Sequence, residues 1–401
     1  MLECKLAQGK GELFVQDVKA APEPQSVLFY QWQVDNLVGF CTNNHSFSVL
    51  TIDTTFNLGD FFVTPMTYHH LFLESIHSGN HPIMVGPMLV HQRMQFATFN
   101  YFASTLIGNN KQLRNVLAFG TDGDKNLTEA LGHNFPFALQ LRCFIHFKKN
   151  VQEKLRDLGL PSHISQLFLD DIFGKHDGNL KIEGLVDSTS TEDFQQKLEA
   201  LKDHWNTHEL PYASSSGPHF YEYFKRIQAD VVCHHMRKDI REAAGLGSPP
   251  SIFTTNSSEA INSVLKKRVS YKKTQWPEFV QQMKQLVDEQ QNEIVRSLSG
   301  RGRYRLCESV RHFGVSVEQW TKMRPEQQQK IVRRFNSATI EGSSAGSSRA
   351  LSSPLLADEG TAATCDQQPS CLVKCLKVSA QESGIHTIPL VTLQQIWSKA
   401  S

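Results

Sequence analysis

The sequence has almost no net charge, because 41 Lys and Arg side chains balance 40 Asp and Glu side chains to leave +1. A uniformly basic surface that would attract the whole chain to nucleic acid or to an anionic membrane is therefore excluded. Binding to nucleic acid would have to come from local basic patches. The hydrophobic fraction of 40% and the charged fraction of 20% predict a globular protein with a substantial core.

The sequence also lacks an apolar run of the roughly 20 residues that a membrane-spanning helix needs. Its start has no apolar stretch typical of a secretory signal, and its 8 cysteines are scattered. These features favour a reducing compartment over secretion. We therefore expect a soluble, intracellular protein that makes no membrane contact.

The first half of the chain alternates strand-like and helix-like patterns. Apolar runs at residues 49–53 and 61–68 flank an Asn-Leu-Gly-Asp turn and predict a β-hairpin. Further strands are predicted over residues 29–34, 83–85, 116–121 and 138–141, and helices over residues 93–107, 127–131 and 144–158. The strand at 83–85 is expected to stop at Gly86-Pro87. The pattern predicts an α/β fold, a mixed sheet with flanking helices.

The second half is predominantly helical in its patterns. Strand signals fade between about residues 160 and 250, and helices are predicted over residues 194–205, 220–231, 254–269 and 276–298. A Ser-, Ala-, Gly- and Pro-rich stretch beginning near residue 337 is typical of a flexible linker. A helical segment therefore interrupts the α/β pattern before the helix that carries Glu259.

Two apolar strand candidates end in an acid, Asp53 in VLTIDTTF and Asp122 in AFGTDGD. If these strands are neighbours, the carboxylates converge, and two like charges at close range repel each other unless a proton or cation lies between them. Hard divalent cations such as Mg²⁺ prefer such oxygen ligands. A two-metal site of this kind supports in-line displacement at phosphorus.

Each acid also has an ordinary structural interpretation. An Asp at a strand end commonly caps the following turn or helix, and Asp124 is a second acid in the same TDGD segment. Asp122 follows the strand directly, so the direction of its side chain is more predictable than that of Asp124. The spacing from Asn256 to Glu259 is that of a capping box. From the residues alone, a metal site and helix capping both remain open.

Five segments together, in their order and spacing, resemble the transposase domain of Mutator-like elements. They are IDTTFN, HPIMVGPMLVH, AFGTDGDKNL, FPFALQLRCFIHFKKN and TTNSSEAIN, within about residues 45–310. The three acids Asp53, Asp122 and Glu259 are separated by 69 and then by 137 positions. The long second gap is similar to the helical insertion of that family.

The resemblance implies a ribonuclease H-like core with an Asp-Asp-Glu triad of Asp53, Asp122 and Glu259 that binds Mg²⁺ or Mn²⁺. The implied activity is that of a DNA transposase, in which water cleaves a strand and a DNA 3′-hydroxyl carries out strand transfer. The implied partners are transposon ends and target DNA. We also expect a homo-oligomer in the nucleus.

The resemblance divides the chain into six regions. They are 1–45, a partial N-terminal region; 46–160, the first part of the core; 161–250, a helical insertion; 251–336, the last part of the core with its helical extension; 337–364, a flexible linker; and 365–401, a C-terminal segment.

The family's Cys-x-x-His motif is present as Cys143-Phe-Ile-His146. One interpretation is a zinc site completed by remote ligands, for which Cys233, His234 and His235 are candidates. A lone Cys-x-x-His supplies only two of the four ligands that zinc usually takes. We therefore favour Cys143 as a small buried residue, with His146 near the triad or the DNA.

Basic residues follow the Cys-x-x-His motif and the Glu259 helix. Candidate phosphate contacts are Lys148, Lys149, Lys266, Lys267, Arg268, Arg301 and Arg303. On a transposase-like core such residues position DNA without reading its sequence. The alternative is that each run is an ordinary solvated face.

The chain departs from the family at both ends. Family members usually carry an N-terminal zinc-binding DNA-recognition domain and a C-terminal zinc finger of the SWIM type. The first 45 residues lack paired Cys and His, and Cys365, Cys371 and Cys375 lack the Cys-x-Cys…Cys-x-His pattern. The alternatives are thus a truncated or domesticated remnant, a non-catalytic nuclear DNA- or protein-binding descendant, and a related nuclease acting on RNA.

Overall fold

A computed structural model describes residues 5–6, 13–56, 58–177, 180–213, 215 and 217–338. The predicted linker lies outside these residues from position 339 onward. So does the segment 365–401 with its three cysteines.

A seven-stranded mixed sheet is the centre of the described structure. The strands of the chain are β1 (Val15–Lys19), β2 (Gln25–Leu28), β3 (Leu50–Ile52), β4 (Phe62–His69), β5 (Leu73–Ser75), β6 (Ile83–His91), β7 (Ala118–Thr121), β8 (Leu139–Arg142), β9 (Lys175–Asp177), β10 (Leu180–Ile182) and β11 (Tyr304–Leu306). The order in the large sheet is β1-β2-β6-β4-β3-β7-β8. Strands β3, β7 and β8 are parallel, and the remaining pairs are antiparallel. β5 pairs with β11, and β9 with β10.

Helices connect and cover these strands. They are α1 (Gln31–Cys41), α2 (Phe96–Asn109), α3 (Lys125–Asn134), α4 (Phe144–Asp157), α5 (Ser162–Phe173), α6 (Thr191–Glu209), α7 (Phe220–Tyr223), α8 (Ala229–His235), α9 (Lys238–Ala243), α10 (Asn256–Arg268), α11 (Trp276–Leu298), α12 (Val317–Lys322) and α13 (Pro325–Asn336). A π-helical turn (Phe224–Gln228) joins α7 to α8. No helix within the described ranges has both the length and the apolar character needed to cross a bilayer.

Helices cover both faces of the sheet. Consecutive residues of a strand point to opposite faces. On β4, the Tyr68 hydroxyl accepts a hydrogen bond from Asn36 of α1 at 3.0 Å, while the hydroxyl of Thr67 bonds to Ser258 of α10 at 3.2 Å. α1 and α10 therefore lie on opposite sides, and the apolar residues of β3 and β7 are buried between the two layers.

A second hydrophobic core lies within the segment between β8 and α10. Side chains from α4 to α8 form it, separately from the core that surrounds the large sheet. Trp205 at its centre is fully buried and packs on the rings of Phe168, Phe220 and Phe224. This segment is mostly helical, but β9 and β10 form a short hairpin in it that the sequence patterns did not predict.

Most predicted elements of the first half are confirmed, including the β3–β4 hairpin, in which Thr51 pairs with Thr67. The strand predicted over residues 29–34 is wrong, because α1 begins at Gln31. Because the polar Gln33 stands between apolar residues, the stretch looks like a strand with alternating faces, although Gln33 is buried. Its side chain instead accepts a hydrogen bond from the Tyr30 N–H at 2.8 Å and donates one to the Val85 carbonyl at 2.7 Å.

The predicted stop at Gly86-Pro87 is also wrong. β6 continues through both residues to His91. Its pairing with β4 shifts register there, from Thr67 opposite Val85 to Pro65 opposite Met88. The extra residue on β6 forms a bulge, which tolerates the missing N–H of a proline within a central strand.

Candidate functional site

Asp53 and Asp122 follow directly after the parallel neighbours β3 and β7. In the ladder between these strands Thr51 pairs with Gly120, an offset of 69 positions. Asp53 and Asp122 are also 69 positions apart, so the same register places them opposite each other just beyond the ladder. The two carboxylates therefore lie together at the carboxyl end of the parallel strands.

Glu259 reaches the same place from the first turn of α10. The predicted capping box is wrong, because Thr255 rather than Asn256 occupies the N-cap position and Glu259 lies four residues beyond it. The Glu259 N–H donates to the Thr255 carbonyl at 2.9 Å, and its carboxylate accepts a hydrogen bond from the Thr255 hydroxyl at 3.4 Å. The Glu259 side chain is exposed to the cleft instead of closing the helix start.

A cleft of about 480 Å³ contains all three acids. Its lining combines negative, positive, amide and aromatic side chains: Asp53, Thr54, Thr55, Phe56, Asp122, His146, Glu259, Asn262, Ser263, Lys266 and Tyr271. Residues from four distant parts of the sequence thus form one concave surface.

Asp53 experiences the repulsion that the sequence predicts. Burial raises the pKa of its carboxyl group from the ordinary 3.8 to about 7, with further increases from the negative charges of Asp122 and Glu259. The positive charge of Lys266 offsets part of this effect. The Asn262 amide donates a hydrogen bond to Asp53 Oδ2 at 2.8 Å, which fixes the orientation of the carboxyl group.

The two acids of the TDGD segment have different roles. The Asp124 carboxylate accepts a hydrogen bond from the Leu127 N–H at 2.8 Å and caps α3. Asp122 lines the cleft, and its Oδ1 accepts a hydrogen bond from the Asp124 N–H at 3.0 Å. Asp124 therefore has the ordinary role of a helix cap, whereas Asp122 belongs to the cleft.

Arg142 lies beside Asp122, and sequence reasoning missed it. It ends β8, where Thr121 of β7 is its pairing partner. Its guanidinium covers Gly123 so closely that a Cβ there would coincide with it, and Gly123 has a φ of +98° that also favours glycine. Burial lowers the pKa of Arg142, and the negative charge of Asp122 acts in the opposite direction.

The Cys-x-x-His motif is joined to the Glu259 helix through Thr255. Cys143 is buried at the start of α4, and its sulfur accepts hydrogen bonds from the Thr255 N–H at 3.4 Å and hydroxyl at 3.3 Å. His146 lines the cleft, with its Nδ1 3.5 Å from the same hydroxyl. This placement agrees with a buried Cys143 and with a His146 close to the acids.

The remote zinc candidates lie on or next to α8. Cys233 is buried, and its sulfur accepts a hydrogen bond from the Arg237 guanidinium at 3.6 Å. Burial lowers the pKa of His235, and a hydrogen bond with the Gln140 backbone opposes that effect. Across the described ranges, no three or more His, Cys, Asp and Glu side chains stand in a ready metal-binding arrangement, and this includes both the acidic triad and the zinc candidates.

The donor groups of the cleft nevertheless fit a divalent cation. Asn262 donates to Asp53 through its amide nitrogen, while its Oδ1 is buried without a hydrogen-bond partner. Three carboxylates and an unpartnered amide oxygen in the lining of one cleft are the oxygen donors that Mg²⁺ and Mn²⁺ prefer. Asp53, Asp122, Glu259 and Asn262 are therefore the side chains that could hold such an ion.

The predicted phosphate contacts separate into two groups. Lys266 lines the cleft, Lys267 is exposed on the same helix, and Lys148 and Lys149 are exposed on α4. Arg268 pairs with Glu289, and Lys149 lies 4.0 Å from Glu153. Lys266 is the member of this set that contributes to the acid cleft.

Arg301 and Arg303 lie at the opposite end of the sheet. β4 runs antiparallel to β3, so its His69 end points away from Asp53. β5 follows that end and pairs with β11, which Arg303 directly precedes. Arg303 also lies 3.6 Å from Glu293. The structure therefore does not bring Arg301 and Arg303 together with the acids.

The sequence carries a signal for Asn262 in its spacing from Glu259 and Lys266. Glu259, Asn262 and Lys266 are spaced by three and four positions. This spacing places side chains on one face of a helix. Helical periodicity therefore predicts that Asn262 lies on the same face of the helix as the two candidates Glu259 and Lys266.

No protein-family model matches the chain, and no curated protein matches it significantly. The motifs and the geometry of the cleft are therefore the basis for proposing a function.

Proposed function

We propose that the chain is a metal-dependent DNA transposase, or a truncated or domesticated remnant of one, with a ribonuclease H-like core. The strand order β6-β4-β3-β7-β8 supports this core, because β4 alone runs opposite to the other four strands and helices cover both faces. The proposal includes action as a homo-oligomer on transposon ends and target DNA in the nucleus.

One observation carries the proposal. Asp53, Asp122 and Glu259 come from two parallel strands and a distant helix, yet they line a single cleft. Isolated helix caps or turn acids would not be expected to converge in this way. The pKa of Asp53, raised mainly by burial and further by the charges of Asp122 and Glu259, supports a close approach of these side chains.

In this proposal Asp53, Asp122, Glu259 and Asn262 hold Mg²⁺ or Mn²⁺. Such a cation would offset the charges of the acids and would supply Lewis-acid stabilisation to the oxygens of a phosphodiester. Asn262 orients the Asp53 carboxyl group, and the Thr255 hydroxyl holds Glu259. Lys266 supplies a positive charge for a DNA phosphate, which positions the strand in the cleft.

The test is Mg²⁺-dependent nicking and strand transfer by the full chain. Asp53→Asn and Asp122→Asn should each abolish activity, because an amide keeps the shape of the side chain but removes the anionic ligand. Asp124→Asn is the matched control, since asparagine also caps helices well. Equal activity in the wild type and in both cleft variants would contradict the assignment.

A second candidate is a non-catalytic nuclear protein that binds DNA or other proteins. The pairing of Arg268 with Glu289 and of Arg303 with Glu293 favours it, because paired cations attract DNA less strongly. This candidate predicts salt-sensitive DNA binding that survives Asp53→Asn, with no nicking. Preference for RNA–DNA hybrids over duplex DNA would instead indicate a nuclease of the same class acting on RNA.

A further inference from the structure

Two exposed aromatic side chains stand at the acid cleft. Phe56 is 53% exposed and Tyr271 is 65% exposed, and both line the cavity that holds Asp53, Asp122 and Glu259. Single exposed aromatics are ordinary on protein surfaces. Two of them lining one polar cleft require a more specific explanation.

The backbone fixes the position of Phe56. The preceding residue Thr55 forms an isolated bridge with Val63 at the start of β4. The Thr55 N–H donates to the Val63 carbonyl at 2.8 Å, and the Val63 N–H donates to the Thr55 carbonyl at 3.0 Å. The short segment between Asp53 and Phe56 is therefore held to β4 through Thr55. The side chain of Phe56, which follows this segment, remains exposed.

Tyr271 is presented by an unfavourable backbone conformation. Ser270 and Tyr271 have φ values of 52° and 56°, so two consecutive residues with side chains adopt the left-handed region. Each such residue costs about 1–2 kcal/mol. Hydrogen bonds from their N–H groups to the carbonyls of Lys267 at 2.9 Å and Lys266 at 2.8 Å hold the turn. Strain of this kind is often retained at functional sites.

The two aromatic segments are connected to each other. The Thr274 N–H donates to the Leu58 carbonyl at 2.8 Å, and Lys273 pairs with Asp60 at 2.9 Å. These contacts join the segment that follows Phe56 to the segment that follows Tyr271, and Phe56 and Tyr271 themselves both line the cleft. The ammonium group of Lys266, which also lines the cleft, lies 5.3 Å from the centre of the Phe56 ring.

We propose that Phe56 and Tyr271 form an aromatic platform that stacks on an unpaired nucleobase next to the phosphate that is cleaved. Aromatic rings bind the faces of bases with little regard to sequence, and the nearby Lys266 charge suits the adjoining phosphate. Bases within a duplex are already stacked, and exposing one costs a few kcal/mol. The preferred substrate is therefore DNA with unpaired bases at the cleavage point. This inference rests on the proposed function and names its substrate class.

The test compares binding of the full chain to a blunt duplex and to the same duplex with a single-stranded extension. Ca²⁺ replaces Mg²⁺, so that binding is measured by fluorescence anisotropy without cleavage. The wild type should prefer the extended DNA. Phe56→Ala and Tyr271→Ala should each weaken that binding by roughly 5- to 150-fold, the range for loss of one base–aromatic stack, with little effect on the blunt duplex.

Two further variants serve as controls. Phe137→Ala removes an aromatic side chain that is 73% exposed and does not line the cleft, so binding should not change. Tyr271→Phe keeps the ring and should retain the preference. A fluorescent 2-aminopurine placed in the extension should be quenched on binding to the wild type, and quenching should be lost with Tyr271→Ala.

The outcomes separate this inference from the proposed function. If the wild type nicks DNA but binds both DNAs equally, or if both alanine variants keep the preference, the platform is refuted while the triad stands. If the wild type neither nicks nor binds DNA, both proposals are refuted. Stacking without nicking would support the platform on a non-catalytic DNA-binding protein.

Discussion

The carboxyl group of Asp53 bears much of the electrostatic cost of placing three acids in one cleft. Its raised pKa of about 7 arises mainly from burial and then from the charges of Asp122 and Glu259. Near neutral pH, without a cation, the carboxyl group of Asp53 is therefore about half protonated. A bound divalent cation would compete directly with that proton.

The pH dependence of stability gives a test at this residue. Because the pKa of Asp53 is higher in the folded state than its ordinary 3.8, folding favours the protonated form. Relative to Asp53→Asn, the metal-free wild type should therefore lose stability as the pH rises from about 4 to about 7. At pH 8 the variant should be more stable by on the order of 1–3 kcal/mol.

Urea unfolding of the metal-free proteins across this pH range measures the difference. Asp124→Asn is again the control and should follow the wild-type profile, because its acid caps α3 outside the cleft. Parallel pH profiles for the wild type and Asp53→Asn would show that the acids do not repel one another as described. Buried His70 and His91 contribute in the opposite sense below pH 6.5, since burial lowers their pKa values to about 3 and about 4.

At the scale of elements, the helical segment between β8 and α10 has its own core. Trp205 is fully buried there, and its indole N–H donates to Asp171 Oδ2 at 2.8 Å. Because this core is separate from the one around the large sheet, damage to it should act first on α5 to α8.

Trp205→Ala should lower the free energy of unfolding by about 3–5 kcal/mol, since it leaves a large cavity and removes the indole hydrogen bond to Asp171. Hydrogen exchange should show loss of protection in α5 to α8, with protection retained in β3 and β7. Ile227→Ala, at a side chain 48% exposed in the same segment, should change stability by about 0.5 kcal/mol or less. Uniform loss of protection across both cores would contradict separate opening.

The elements that carry the acids were predictable from the sequence, and others were not. β3, β7 and α10 had apolar runs or helical periodicity of their own, so local patterns identified them. α1 and the second half of β6 depended on partners far along the chain. Gln33 is buried only because it bonds to β6, and Pro87 fits a central strand only because a bulge forms opposite β4.

The site was predictable only in part for the same reason. Asp53, Asp122 and Glu259 belong to short motifs, so their candidacy needed no structure. Arg142 lies beside Asp122 because β8 pairs with β7, and Phe56 and Tyr271 line one cleft although they are far apart in the sequence. These neighbours follow from tertiary pairing, which no local spacing reveals.

On the scale of the whole molecule, the charge of +1 means that DNA binding depends on where cations lie rather than on how many there are. Lys266 lies in the cleft, whereas Arg303 is at the far end of the sheet beside Glu293. Each phosphate that a cation neutralises adds about 0.9 to the slope of log affinity against log salt.

Lys266→Ala should therefore reduce that slope by about 0.9, and Arg303→Ala should leave it unchanged. Anisotropy titrations at several salt concentrations measure both variants on one duplex. A larger effect from Arg303→Ala would mean that DNA follows the far end of the sheet, away from the acids.

The separation of the acids along the chain also affects how the site is made during translation. The register of β3 and β7 can place Asp53 beside Asp122 early, but Glu259 is 137 positions further on. At roughly 5–20 residues per second, the ribosome needs about 7–27 s to add those positions. For that interval every nascent chain carries an incomplete cleft, so the order of synthesis itself delays any activity until the intervening helices and α10 have emerged.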